Sequence, residues 1–168
     1  MLQSESHRIA SVHSVVCAEL QFQLLGHNLS QPAILDETSA KSATFVLYNH
    51  ARIVQLLQAG GGEIDESMVD FHLLVEDEEW ELVHVYLSQY VVLLQNIIVQ
   101  ADLKVGRLCQ FLLGLSSTFS RYYNRVHVIK EAVHLRPVQH TRLYLIRRVK
   151  QVLEHGLFLL DIPCLGQM

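Results

Sequence analysis

Val91-Val92-Leu93-Leu94-Gln95-Asn96-Ile97-Ile98 is the segment on which the fold class turns. Its β-branched residues favour a strand on propensity alone. No hairpin turn flanks it, however, and its neighbours on both sides carry helical periodicity. It is therefore read as helix. The wider apolar stretch, Leu82 to Val99, is broken by His84, Ser88, Gln89, Gln95 and Asn96. That pattern predicts a core helix with no membrane span.

Outward from this segment the same period recurs. Glu78 to Leu87 suits a helix with acids in its first turn, where the macrodipole favours them. Leu103 to Arg125 places Leu108, Phe111, Leu112, Leu115, Phe119 and Tyr122 three and four residues apart. After Pro137, a helix over about Val138 to Leu160 turns Leu145, Val149, Val152, Leu153, Leu157 and Leu160 inward. Gly156 inside it costs about 1 kcal/mol relative to alanine, which predicts a close helix crossing there. Toward the N-terminus, Arg8 to Leu25 aligns Ile9, Val12, Val16, Leu20 and Leu24 on one stripe. Ser39 can cap a helix carrying Val46, Leu47, His50, Ala51, Ile53 and Val54, which Gly60-Gly61-Gly62 stops. Met68 to Val75 fits no single pattern. The expected fold is all-α, a bundle of about five to six helices. Residues 1–36 form an N-terminal helix and connection, and residues 37–168 form the main helical domain.

At 168 residues the chain is one domain's length, and with 50% apolar residues it can bury a core. Cys17, Cys109 and Cys164 are scattered, with no C-x-x-C pair, which suits a reducing compartment and predicts a cytoplasmic protein. No signal peptide is read at Met1-Leu2-Gln3-Ser4-Glu5. The ten histidines form no metal-ligand spacing, no phosphate loop follows the glycine triplet, and no nucleophile elbow occurs. No catalytic centre, metal or cofactor is expected.

The net charge of −4 conceals a segregation. Glu63 to Asp102 holds ten acids and no Lys or Arg, whereas Lys104 to Lys150 holds ten bases against one acid, or +9. Such a block suggests a polyanion or an acidic partner; an internal pairing of the two halves is the plainer alternative. Glu76, Asp77, Glu78 and Glu79 read as a solvated face. Two helix stretches mix cations with phenol rings: Arg121, Tyr122, Tyr123, Asn124 and Arg125, and then Arg142, Tyr144, Arg147, Arg148 and Lys150. RNA loops are held by that combination, with bases stacked on aromatics and cations on phosphates. The alternative places Tyr122 and Tyr144 in the core and leaves only the arginines exposed.

Thr44-Phe-Val-Leu-Tyr48-Asn-His-Ala-Arg52-Ile53 resembles the Tyr-Ala-His-Ala-Arg-Ile helix that opens the C-terminal domain of arginyl-tRNA synthetases. Phe119-Ser-Arg-Tyr-Tyr123 is similar to that domain's Phe-x-x-Phe-Tyr segment. Arg142-Leu143 with Val149 to Ile162 resembles its last helix, and the ending on Met168 fits. The resemblance runs from about Ala33 to Met168 and implies the all-α DALR anticodon-binding domain. It implies binding of arginine tRNA through the anticodon stem and loop, with Tyr48, Arg52, Arg121, Tyr123, Arg125, Arg142, Tyr144, Arg147, Arg148, Lys150 and Met168 on the RNA face. DNA is not an expected partner. The synthetase's catalytic motifs and the Asp-Ala-Leu-Arg signature are absent from this sequence. Arg147-Arg148 replaces a small-acidic pair, and Asp161 replaces a glycine. The expected function is therefore tRNA binding without catalysis. The alternative is an adapter whose acidic stretch, Glu63 to Glu81, docks a tRNA-modifying enzyme or a synthetase-like partner.

Overall fold

The computed structural model describes residues 2–26, 43–61, 64–99, 104–129 and 136–164, with side chains from Val12 onward in the first segment. The predicted Ser39 cap and Met168 lie outside these residues. The elements are α1 (Leu2–Gly26), α2 (Ala43–Ala59), α3 (Asp77–Glu81), α4 (Tyr90–Val99), α5 (Gly106–Arg125) and α6 (Arg136–Leu159). Two 3₁₀ turns, Glu66–Met68 and Phe71–Leu73, precede α3, and a π turn, Leu82–Leu87, joins α3 to α4 in one 23-residue rod. Among the described residues no strand occurs, and Val91 to Ile98 is helical. The molecule is an all-α bundle.

α5 and α6 form its centre. Leu108, Leu112, Leu115, Phe119 and Tyr122 of α5 meet Leu145, Val149, Leu153 and Leu157 of α6, each at most 4% exposed. These are the rows that the three- and four-residue spacing predicts. Pro137 sits in the first turn of α6, where its missing N–H costs nothing. The crossing expected at Gly156 is present: a Cβ there would lie 2.6 Å from Leu112 Cδ2, inside the fully buried core. α2 packs on both central helices through Ala43, Val46, Leu47, His50 and Ile53.

Two apolar expectations need correction. In α1, Val12, Val16, Leu20 and Leu24 are 41–63% exposed, and Ala18 and Phe22 enter the core instead. The stripe is real, but α2 and α5 lie against the adjoining row, where a small Ala18 permits close approach. Within Leu82 to Val99, only Leu82, Tyr90 and Ile97 are buried. That rod runs along the edge of the bundle, so Val85, Val91, Val92, Ile98 and Val99 face outward. It is long and apolar enough by composition to cross a membrane, with mean hydropathy 1.6.

The π turn closes with Ser88 N–H donating to Val83 O at 2.9 Å, and Ser88 Oγ donates to His84 O at 2.6 Å. At the far end, Asp161 takes a left-handed φ of 57° while Ile162 N–H reaches back to Leu157 O at 2.9 Å. This is a helix stop that ordinarily selects glycine. Asp161 stands where the resembled family has one.

Candidate nucleic-acid interface

The acidic and basic blocks meet. Arg121 bonds Glu81 at 2.7 Å, and Arg125 bonds Glu76 at 2.9 Å and also Glu78. Arg148 bonds Glu66 at 2.9 Å. Arg142 lies in the core, 4% exposed, with Nε donating to Glu79 Oε1 at 2.7 Å. Internal pairing, the plainer alternative, therefore accounts for four of the ten bases.

Glu79 is the hub of this pairing. The expectation of a solvated acidic face fails at this residue, which is 0% exposed. Its Oε1 accepts from Arg142 and from Tyr122 Oη at 2.9 Å, and its Oε2 accepts from Val75 N at 2.9 Å and Glu76 N at 3.0 Å. Two oxygens receiving four donors satisfy the desolvated carboxylate. Burial beside that carboxylate drives the Tyr122 phenol far above its ordinary range. Tyr122 is thus a core residue, and Arg142 is removed from any surface that could meet a phosphate. The spacing Glu76 to Glu79 is the register of a capping box, the one sequence signal that marks Glu79 apart from its neighbours.

A different arrangement holds Tyr48, Arg52 and Tyr123. The Arg52 guanidinium carbon sits 4.6 Å from the Tyr48 ring centroid and 4.4 Å from that of Tyr123. Its Nη2 donates to Tyr48 Oη at 2.5 Å. The helical i, i+4 spacing sets Tyr48 over Arg52, and Tyr123 arrives from α5. Tyr48 is 47% exposed and Tyr123 37%. Among the described residues no carboxylate contacts Arg52. Three predicted site residues, distant in sequence, thus form one open aromatic–cation cluster. Its cation meets no carboxylate among the described residues and both rings are partly exposed, so the cluster can offer a charge to a phosphate and a ring to a base.

The remaining predicted residues lie along α6. Tyr144 is half-buried and edge-on to Phe71 at 6.0 Å; its Oη accepts from Arg148 Nη2 at 2.7 Å. That bond and the nearby Glu66 raise the Arg148 pKa. Arg147 is half-exposed with no carboxylate partner among the described residues. Lys150 bonds Glu154 at 2.7 Å, and Glu154 also meets buried His50 at 3.1 Å. Burial pushes the Glu154 carboxyl up, but the bonds from Lys150 and His50 outweigh it and hold the pKa below 4.5. Sequence reasoning missed His50, Glu154, Phe71 and the pair Tyr90–His155, joined at 2.8 Å from Oη to Nδ1. Isolated polar residues on apolar rows carry no spacing signal. Among the described residues no group of three or more His, Cys, Asp or Glu could hold a metal ion.

The described residues thus form a helical bundle with cations and tyrosines on α2, α5 and α6. Residues 46–168 match the family described as DALR anticodon binding domain, and the chain belongs to that family. It is 30% identical over 182 residues to DALR anticodon-binding domain-containing protein 3 of Rattus norvegicus, covering 98% of this chain and 34% of the relative. It is 35% identical over 133 residues to arginine–tRNA ligase of Synechococcus sp. (strain RCC307), covering 77% of this chain and 21% of that enzyme. The chain thus spans about a third or less of the length of these relatives. A solved structure titled putative arginyl tRNA synthetase from Campylobacter jejuni shares the fold. The TM-score is 0.73 at 18% identity, over 95% of this chain and 35% of that one.

Proposed function

We propose that this chain binds tRNA without catalysing a reaction on it, and that it takes the anticodon stem and loop of arginine tRNA. The observation that carries this reading is the Tyr48–Arg52–Tyr123 cluster, open to solvent within the matched anticodon-binding domain. Most of the obvious arginines are spent on Glu66, Glu76, Glu78, Glu79 and Glu81, so charge alone does not choose the face. Arg52 and Arg147 remain to meet phosphates, while Tyr48 or Tyr123 stacks on a base. In the relatives named arginine–tRNA ligase, the match takes in about a fifth of the enzyme, and the matched family is one of anticodon binding. That supports binding as the role of this part.

Titration of an arginine tRNA against the wild-type chain and its Tyr123→Ala variant tests the reading. Loss of one stacked base should weaken binding roughly ten-fold, with the salt dependence little changed, because stacking releases no counterions. Wild-type binding no tighter than that of an unrelated RNA hairpin would remove the proposal.

A second reading has its own observation. Met68, Phe71, Val75 and Trp80 are 40–72% exposed along the acidic stretch, an apolar edge suited to a protein partner. On this reading the chain is an adapter, in the cytoplasm, for a tRNA-modifying enzyme or a synthetase-like protein. Co-purification of such an enzyme after ribonuclease treatment would favour it.

A further inference from the structure

A cavity of about 360 Å³ opens between the π turn and α6, lined by Leu87, Tyr90, Arg148, Gln151, Val152 and His155. It lies on a different side of α6 from Lys150, Glu154 and His50, and it shares no residue with the Tyr48–Arg52–Tyr123 cluster. Leu87 and Val152 make its apolar floor. Tyr90 and His155 make a wall of two rings, edge to face at 5.8 Å and locked by their 2.8 Å hydrogen bond. Tyr90 is itself stacked on Phe111 at 5.6 Å, so the wall is anchored in the core. Burial holds the Tyr90 phenol up at about 12, so it stays neutral.

The rim is polar and equally fixed. Arg148 is tethered by Tyr144 Oη and Glu66, and its Nη1 donates to Gln151 Oε1 at 3.0 Å. That leaves the Gln151 amide N–H groups and further guanidinium N–H groups free to point at a guest. The π turn widens the helix by one residue per turn where the cavity forms, and such turns recur at functional sites. An open, mostly apolar depression edged by rings, with a few donors at its rim, suits a flat heteroaromatic group laid on one face.

We infer that this cavity takes a purine base swung out of single-stranded RNA. Arg and Gln are the two side chains that match the outer edge of purines: Arg donates to O6 and N7 of guanine, while Gln donates its amide N–H to N7 of adenine and accepts from N6–H through its oxygen. His155, exposed and braced from behind by buried Tyr90, supplies the ring against which an unstacked base packs. The inference rests on the tRNA-binding reading and adds a second contact point, built from residues that the first cluster does not use. It extends the RNA footprint to the face of α6 that lines this cavity with the π turn.

The test uses the full chain and an arginine tRNA, with His155→Ala and Gln151→Ala beside Tyr123→Ala. Gln151 is exposed and its change leaves the core intact; thermal melts check that His155→Ala stays folded. The expected result is binding weakened roughly ten-fold by His155→Ala and several-fold by Gln151→Ala, with the salt slope unchanged. Ultraviolet crosslinking of the wild-type complex should also join a purine to the peptide holding Tyr90 or His155. If wild-type and Tyr123→Ala behave as proposed above while His155→Ala and Gln151→Ala bind like wild type, the cavity holds no base and the inference is overturned. If the wild-type chain binds no RNA, the tRNA-binding reading fails first, and this inference falls with it.

Discussion

Arg142 and Arg52 are the same residue type in two opposite conditions. Arg142 sits 4% exposed against a buried carboxylate, with its charge answered inside the fold. Arg52 rests between two tyrosine rings at the surface, with its charge unanswered among the described residues. Both lie in segments that resemble the synthetase domain, and a count of bases treats them alike. The difference is that a basic block marks a binding face only after its internal partners are subtracted. Here the acidic segment before α4 is the partner for much of it. One set of arginines holds the molecule together, and the other is available to a ligand.

The comparison breaks most visibly at Glu79. Replacing it with Gln leaves Arg142 buried beside a neutral amide. Removing one member of such a pair costs about 3–5 kcal/mol. Urea denaturation should show a loss of that size for Glu79→Gln, whereas Arg121→Ala, which breaks an exposed pair, should cost about 1 kcal/mol or less. Equal losses would erase the distinction between the buried pair and the exposed ones.

The next largest effect belongs to the crossing of α5 and α6. Gly156→Ala pushes a methyl group to within 2.6 Å of the fully buried Leu112 side chain, which must shift to admit it. Overpacking of this kind costs about 1–3 kcal/mol, read as a lowered melting temperature. A smaller change of opposite sign is expected at Asp161. Its left-handed backbone is strained for any residue with a Cβ, so Asp161→Gly should stabilise by about 1 kcal/mol.

The smallest effect is a pH dependence at the junction of α2 and α6. Glu154 has a folded pKa held below its ordinary 4.5. Its contribution is therefore complete above pH 4.5 and is lost as pH falls through the lower folded value. In Glu154→Gln, the acid limb of the stability curve should be shallower than in the wild type below pH 4.5, as measured by urea midpoints at each pH.

These contrasts also show what was legible in the sequence. The rows of α5 and α6 could be read because each helix buries one continuous stripe in the shared core with α2, and periodicity reports such a stripe directly. Val91 to Ile98 could be read as helix from its flanks. Its exposure could not, since apolar content says nothing about whether a neighbour is present. The same gap misplaced α1: Val12, Val16, Leu20 and Leu24 form a good stripe that nothing among the described residues covers. Tyr48, Arg52 and Tyr123 were each marked by the family resemblance, but their meeting needs the α2–α5 contact, which no local pattern contains. Glu79 was hidden because three flanking acids made it look like surface.

Salt-resolved titration of arginine tRNA against Arg52→Ala and against the double variant Arg121→Ala/Arg125→Ala tests the central claim most directly. Arg52→Ala should weaken binding roughly ten-fold and lower the salt slope by about 0.7–0.9, one phosphate contact's worth. The double variant, whose side chains are engaged with Glu76, Glu78 and Glu81, should stay within about three-fold of wild type with its slope nearly unchanged. The reverse pattern, with the double variant losing affinity and slope while Arg52→Ala binds like wild type, would contradict the account.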